Sequence, residues 1–277
     1  MKLAAVACAV AALAVAGSAG AAAPRHVVET ASSGTVTASF SYDYDLANSS
    51  FSNTHLTIAR GGVTLLDTDI RPLANDALVQ PANYGLHHKS VHALDLDGNG
   101  EPEVVLDLYL GGAHCCYYVQ VYRYARGSYA RTTKVWGNPS YRLLDLDGDG
   151  RPELVSGDDR FPYVFTDFAD SAWPVRIWSY RSGRFNDVTR QFPAAVLRDG
   201  RHLWRHAAAR IRRRDDVYGV LAAWTADRCL LGKGPGAFRE LEALRRAGKL
   251  RGASLDETPR RYLRHLHRFL RRTGYCR

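Results

Sequence analysis

Apolar and polar residues alternate with a period of two through the first two thirds of the chain, and with a period near 3.6 in the last third. Thr35–Tyr42 reads Thr-Val-Thr-Ala-Ser-Phe-Ser-Tyr, the alternation of a half-buried strand. Leu56–Arg60 and Val63–Leu66 flank Gly61-Gly62, and a glycine pair accepts the positive φ of a tight hairpin turn. Residues 67–90 carry Pro, Asn and Gly and read as a connection. Further strands are predicted at Val104–Leu108, Tyr118–Tyr124 and Tyr129–Trp136, then at Glu153–Val155, Pro174–Tyr180 and Phe185–Phe192. After Pro193 the texture becomes helical. Val217, Val220, Leu221, Trp224 and Leu231 share a face behind Asp215 or Asp216 as a cap. Phe238, Leu241 and Leu244 mark a second helix stopped by Gly248. Thr258-Pro259 opens a third, with Tyr262, Leu263, Leu266, Phe269 and Leu270 as its apolar face. Residues 197–212 offer room for another helix.

Between the predicted strands one phrase occurs twice. Residues 94–105 read Leu-Asp-Leu-Asp-Gly-Asn-Gly-Glu-Pro-Glu-Val-Val, and residues 144–155 read Leu-Asp-Leu-Asp-Gly-Asp-Gly-Arg-Pro-Glu-Leu-Val. Oxygen-bearing side chains at alternate positions of a tight loop can all turn inward around a hard cation, and Ca²⁺ takes about six to eight such oxygens. The first set is Asp95, Asp97, Asn99, the Glu101 carbonyl and Glu103; the second is Asp145, Asp147, Asp149, the Arg151 carbonyl and Glu153. Neither loop is an EF-hand, which needs a glutamate at its twelfth position and a helix on each side. Leu106 and Ser156 stand there, and the flanks read as strands. An Asp/Gly-rich turn without metal is the alternative, since both residues favour turns by themselves. Charge counting predicts tighter binding at the second loop, which offers four carboxylates against three.

The repeat extends past the loops: Tyr124 matches Tyr180, Gly127 matches Gly183, Tyr129 matches Phe185 and Thr133 matches Thr189. The second copy carries about six extra residues before its middle strand. The hairpin at 56–66 reads as the back half of a degenerate third copy. Asp-x-Asp-Gly-Asn/Asp-Gly-x-Pro-Glu followed by an aromatic hairpin resembles the FG-GAP or VCBS type of repeat. The resemblance covers residues 91–192, and the Phe-Gly…Gly-Ala-Pro element of fuller repeats is absent. It implies blades of four antiparallel strands with calcium in the Asp-rich loops. Two or three blades cannot close a ring of the usual four to eight. The expected fold is therefore α+β. An antiparallel β domain, an open propeller fragment or a sandwich, spans 25–192, with repeats at 91–140 and 141–192. A small basic α-helical domain follows at 197–277.

Composition places this fold outside the cell interior. Residues 1–21 read as a secretory signal peptide: Lys2, an apolar run over 3–16, and Ala19-Gly20-Ala21 as a cleavage site. The run is too short to span a bilayer, and no other apolar stretch is long enough. Cys115, Cys116, Cys229 and Cys276 then remain, an even number that suggests bridges in an exported chain. Adjacent Cys115 and Cys116 are poorly placed to share partners, so Cys229 with Cys276 is the expected pair. From Arg198 onward 21 Lys and Arg face 8 Asp and Glu. That excess is either a solvated helix surface or a means of meeting an anionic envelope polymer. No nucleic-acid partner is expected; an unknown protein or polysaccharide ligand is.

Three other clusters offer chemistry. His114-Cys115-Cys116 could be a nucleophilic or metal-binding group, or a plain disulfide segment. Asp158-Asp159 could be paired acid and base, or turn residues. His87, His88 and His92 could hold a metal, a weak signal in a loop. Gly-x-Ser-x-Gly, His-Glu-x-x-His and phosphate-loop motifs are absent from the sequence. The favoured reading is an exported calcium-binding repeat protein with a binding or scaffolding role. The rivals are a secreted hydrolase using His114, Cys115 and Cys116 or Asp158 and Asp159, and an envelope protein attached through its basic helices.

Overall fold

The alternating stretches pair into three successive antiparallel meanders, in which strands adjacent in sequence are adjacent in space. The computed structural model describes residues 23–74, 78–83, 88–112, 115–252 and 258–276. The first sheet is β1 (Arg25–Ser33), β2 (Val36–Asp45), β3 (Ser50–Arg60) and β4 (Val63–Asp69). In the second, β5 (Gln80–Pro81) and β6 (Val91–Leu94) both pair with β7 (Glu103–Tyr109), which continues to β8 (Tyr117–Ala125) and β9 (Ser128–Gly137). The third is β10 (Arg142–Leu144), β11 (Glu153–Gly157), β12 (Val175–Arg181) and β13 (Arg184–Asp187).

The hairpin predicted at 56–66 is β3–β4, with Arg60 facing Val63 across Gly61-Gly62. It is half of a complete four-stranded unit, because β1 and β2 pair ahead of it. The last strand of the third sheet stops at Asp187 instead of running to Phe192. The Asp187 carboxylate accepts from the Thr189 N–H at 3.0 Å, and a single 3-10 turn, Thr189–Gln191, takes over.

The sheets stack face to face. Val36, Phe40, Leu56 and Ile58 of the first meet Val104, Leu106, Leu108 and Tyr118 of the second. The opposite face of the second, with Val105, Val119 and Val121, meets Leu154 and Tyr180 of the third. The middle sheet is thus covered on both sides, which is why β7 reads Glu-Val-Val-Leu-Asp-Leu-Tyr, almost without polar breaks. The stack is open and not closed into a ring, and the α+β class expected from the sequence is observed.

Four helices form the last layer: α1 (Pro193–Arg213), α2 (Tyr218–Leu230), α3 (Gly234–Arg246) and α4 (Pro259–Arg272). α1 starts four residues ahead of the predicted 197, because Pro193 at the first turn presets the helical φ. Asp216 accepts from the Tyr218 N–H at 2.7 Å at the start of α2. The Thr258 hydroxyl accepts from the Arg261 N–H at 3.4 Å and caps α4. Tyr262, Leu266, Phe269 and Leu270 point inward along α4, while Arg260, Arg264, Arg268, Arg271 and Arg272 face water.

Two apolar contacts, among other bonds, join the helices to the β stack. Val196 of α1 packs with Val175 and Ile177 of β12. The long β11–β12 connection, which contains the extra residues of the second repeat, inserts Phe161 and Phe165 into the helical core. Phe161 and Phe165 meet Phe269 edge-on at 5.1 and 5.3 Å between ring centres. Among the inward-facing aromatics Trp224 packs instead on Trp204 of α1, and Phe238 on His267 of α4. The chain end is fixed by the Cys229–Cys276 disulfide, the pair expected from the sequence.

Candidate metal centre

One Asp-rich phrase joins β6 to β7 and the other joins β10 to β11, and the two loops fold alike. Gly98 and Gly100 have φ of 71° and 82°; Gly148 and Gly150 have 79° and 81°. These left-handed angles favour glycine and bend the chain so that successive side chains point to one centre. Asp95 accepts from the N–H of Gly98 (2.8 Å), Asn99 (3.1 Å) and Gly100 (2.8 Å). Asp145 accepts likewise from Gly148 (2.8 Å) and Gly150 (3.0 Å). Glu103 and Glu153 each accept from a backbone N–H near the head of the loop, Leu96 at 2.9 Å and Leu146 at 3.1 Å. Asn99 and Asp149 each accept from the N–H two residues on, Glu101 at 2.7 Å and Arg151 at 2.8 Å.

The sites differ in what they gather. In the first loop Asp95, Asp97 and Glu103 each offer a carboxylate oxygen within 4.8 Å of the others. Glu103 is fully buried, and its Oε1 has no hydrogen-bond partner, nor has Asp97 Oδ1. The nearest cation is Arg123, whose Nε lies 3.3 Å from Asp97 and 3.7 Å from Glu103. Burial, with the Asp97 and Asp95 charges beside it, pushes the Glu103 carboxyl up to about 7, against the Leu96 hydrogen bond. The Glu101 side chain turns away to pair with Arg60 of β3. In the second loop Asp145, Asp147 and Asp149 converge, all exposed, and Glu153 stays outside the group. The Arg151 guanidinium sits on Asp149 at 2.6 Å and holds that carboxyl below its usual range. Arg181 lies 3.8 Å from Glu153, whose carboxyl burial raises.

Position in the stack explains this asymmetry. The hairpin turn of the third sheet closes over the first loop: the Ser182 N–H donates to Asp97 at 3.2 Å and Arg181 donates to the Leu96 carbonyl at 3.0 Å. The Arg151 side chain packs where a Cβ on Gly98 would stand. No fourth sheet follows among the described residues, so the second loop lacks such a cover.

The remaining candidates fall elsewhere. His114 and His87 lie outside the described residues. Cys115 and Cys116 are bonded to each other, so neither offers a thiolate. Cys116, Asp158 and Asp159 do share the wall of a cavity of about 500 Å³ with Lys134, Trp136 and Trp178. Although burial alone would raise it, Arg160 at 2.5 Å and the Tyr275 hydroxyl at 2.6 Å bring the Asp158 carboxyl below its usual range. Asp159 accepts from Asn138 at 2.8 Å. Asp158, through Tyr275, ties the helical end to the β stack, and Asp159 is held by Asn138. His92 pairs with Asp107 at 3.4 Å. The sequence reading missed Asp227 of α2, fully buried beside Asp199 of α1, where a protonated Asp227 carboxyl donates to the Asp199 carboxylate. Burial, then the Asp199 charge, moves its pKa far above the carboxylate range.

The fold and loops thus define an α+β protein with a three-sheet repeat stack, two Asp-rich turns and a helical end layer. Residues 197–274 match the family described as the sll0997 C-terminal domain. The chain is 28% identical over 145 residues to the probable thylakoid lumen protein sll0997 of Synechocystis sp. (strain ATCC 27184 / PCC 6803 / Kazusa). That alignment covers 50% of this chain and 43% of the relative, so the chain spans less than half the length of that curated protein. No solved structure matches it. No described helix is long and apolar enough to cross a membrane.

Proposed function

We propose that this is an exported scaffold of the FG-GAP or VCBS type, in which calcium in the first Asp-rich loop locks the second and third sheets together. The observation that carries the reading is the pair of buried oxygens without donors, Asp97 Oδ1 and Glu103 Oε1, facing a common centre. An unpartnered buried polar atom costs about 1–3 kcal/mol, and more when charged. Arg123 supplies one positive charge to three carboxylates there. A divalent cation would balance the rest. The exported setting is supported by the similarity to a protein named for the thylakoid lumen, a compartment topologically like the periplasm. The complete four-stranded first sheet supports a third, calcium-free blade.

Charge counting favoured the second loop. The geometry favours the first, because Arg151 occupies Asp149 and water reaches Asp145 and Asp147. We infer that the first loop binds more tightly and the second weakly, near the ~10⁻⁴–10⁻³ M of extracellular modules. Calorimetry of the mature chain, stripped with chelator and titrated with CaCl₂, tests this. Two unequal binding steps are expected, with Asp97→Asn removing the tighter one and Asp147→Asn the weaker. Absence of heat, with a melting temperature indifferent to chelator, would return both loops to metal-free turns.

A further inference from the structure

The helical layer holds a cavity of about 950 Å³. It lies away from the Asp-rich loops, and none of the residues lining it belongs to them. Small-molecule sites run to roughly 300–1,000 Å³, so this one is large enough for an organic ligand. Its apolar floor is Trp204 of α1 against Trp224 of α2, ring centres 4.7 Å apart. Its rim is basic. Arg198, Arg201 and Arg205 recur at three- and four-residue steps along one side of α1, and Arg228 enters from α2.

Surface arginines of an ordinary solvated helix point apart and find carboxylates or water. These four converge, and no hydrogen bond or ion pair reaches their guanidinium groups among the described residues. Glu240 is the one acidic residue in the lining, and it is not within ion-pair distance of any of them. The Arg228 Nε is buried and without a hydrogen-bond partner, its guanidinium 5.8 Å from the Trp224 ring centre. The guanidinium of a permanent cation at the cavity wall, with no carboxylate paired to it, is a point at which an anionic ligand can make a charge-assisted contact. The apolar floor specifies the rest of the ligand. A simple hydrated anion would leave the half-buried Trp204 and Leu231 uncovered, and a neutral apolar molecule would leave the guanidiniums unmatched.

We propose that this cavity binds an amphiphilic organic anion: an apolar or aromatic body on Trp204 and Trp224, with a carboxylate, sulfonate or phosphate group on the arginine rim. The test uses the mature chain and 1-anilinonaphthalene-8-sulfonate, an aromatic sulfonate whose fluorescence reports binding, with laurate as competitor. One saturable equivalent per chain is expected, displaced by laurate. Arg228→Gln should weaken it at least tenfold. Arg201→Gln, at an exposed position where folding is not at stake, should weaken it severalfold. Arg264→Gln, on the outer side of α4 and away from the cavity, should leave it unchanged, and all variants should melt within a degree or two of wild type. If Arg228→Gln melts lower, Arg201→Gln decides. The proposal is overturned by non-saturable binding, by equal affinity in Arg201→Gln and wild type, or by displacement with heparin or inorganic phosphate but not with laurate. The last result would make the rim a polyanion surface.

Discussion

Replacing Glu103 by Gln should raise the stability of the calcium-free protein at alkaline pH and lower that of the calcium-loaded protein, relative to wild type. Gln keeps an acceptor for the Leu96 N–H, bonded at 2.9 Å in the wild type, and its new amide has the donor-free Asp97 Oδ1 beside it. Without metal, burial followed by the Asp97 and Asp95 charges raises the Glu103 carboxyl from 4.5 to about 7. The folded chain therefore keeps a proton that the unfolded chain releases between those two values. Stability falls as pH rises through that window, and the penalty is complete above it. The full shift corresponds to about 3.4 kcal/mol. Water at the exposed Gly98–Gly100 side of the loop screens part of this, leaving about 2 kcal/mol. Glu103→Gln removes that penalty, so in chelator near pH 8 the variant should be the more stable by about 2 kcal/mol, and near pH 4 the two should agree. Calcium, if the first loop binds it as proposed, should reverse the order. At a hundredfold excess over Kd a site of this kind stabilises by about 2.7 kcal/mol, and the variant forfeits most of it. Urea melts at both pH values, with chelator and with calcium, give the result. Equal destabilisation of the variant in all four conditions would refute the reasoning and leave Glu103 as a plain acceptor for Leu96.

The other expected outcomes concern the helical layer. Leu266→Ala should cost about 2–5 kcal/mol, because the side chain is fully buried, and Arg264→Ala under about 0.5 kcal/mol. Equal losses in melting experiments would mean that α4 faces the other way. Asp227→Asn should flatten the pH dependence of stability. The wild-type carboxyl, raised by burial and then by Asp199, stays protonated when folded, so stability declines as pH climbs above about 4, by at most ~1.4 kcal/mol per unit. An unchanged slope between acid and neutral pH would show that the pair is ionised. Cys276→Ser opens a loop closed across a separation of 47 residues and should cost about 4 kcal/mol on the chain-entropy model. A melting temperature equal to wild type would show that the bridge does not constrain the unfolded chain.

Local patterns legible in the sequence were those that a short stretch determines by itself. Gly61-Gly62 named its hairpin, Thr258-Pro259 named the start of α4, and the Asp-rich phrases named loops whose paired glycines share the same left-handed φ. The ranking of those loops was not legible, because it depends on Ser182 and Arg181 reaching back more than eighty residues to Asp97 and Leu96. Hydrophobic spacing marks Trp224 and Phe238 as inward-facing, yet they pack within the helical layer on Trp204 and His267. The contact with the β stack is made by Phe161 and Phe165, in an insertion with no periodicity. Periodicity locates a buried face but not what covers it. The Asp199–Asp227 pair escaped notice for a related reason: the two residues sit on different helices, and each alone looks like an ordinary surface aspartate.

Because each layer packs on its successor in the chain, structure can form in the order in which residues emerge. A meander needs a turn of a few residues to close, and such closures are fast and low in entropic cost. Order then propagates along one axis, as in solenoid proteins, with nearest-neighbour interfaces as the coupling. Damage should travel the same way. Loss of β1–β4 would bare Val104, Leu106, Leu108 and Tyr118 while leaving the third sheet and the helices with their own partners. The two ends of the stack are unequal in this respect. The last layer is clamped by Cys229–Cys276, whereas the first holds to the second through side-chain packing and a few polar contacts, such as Glu29 accepting from the Ser90 N–H. Fraying is therefore expected first at the amino-terminal sheet, and the carboxyl-terminal helices, cross-linked among themselves, are expected to hold longest.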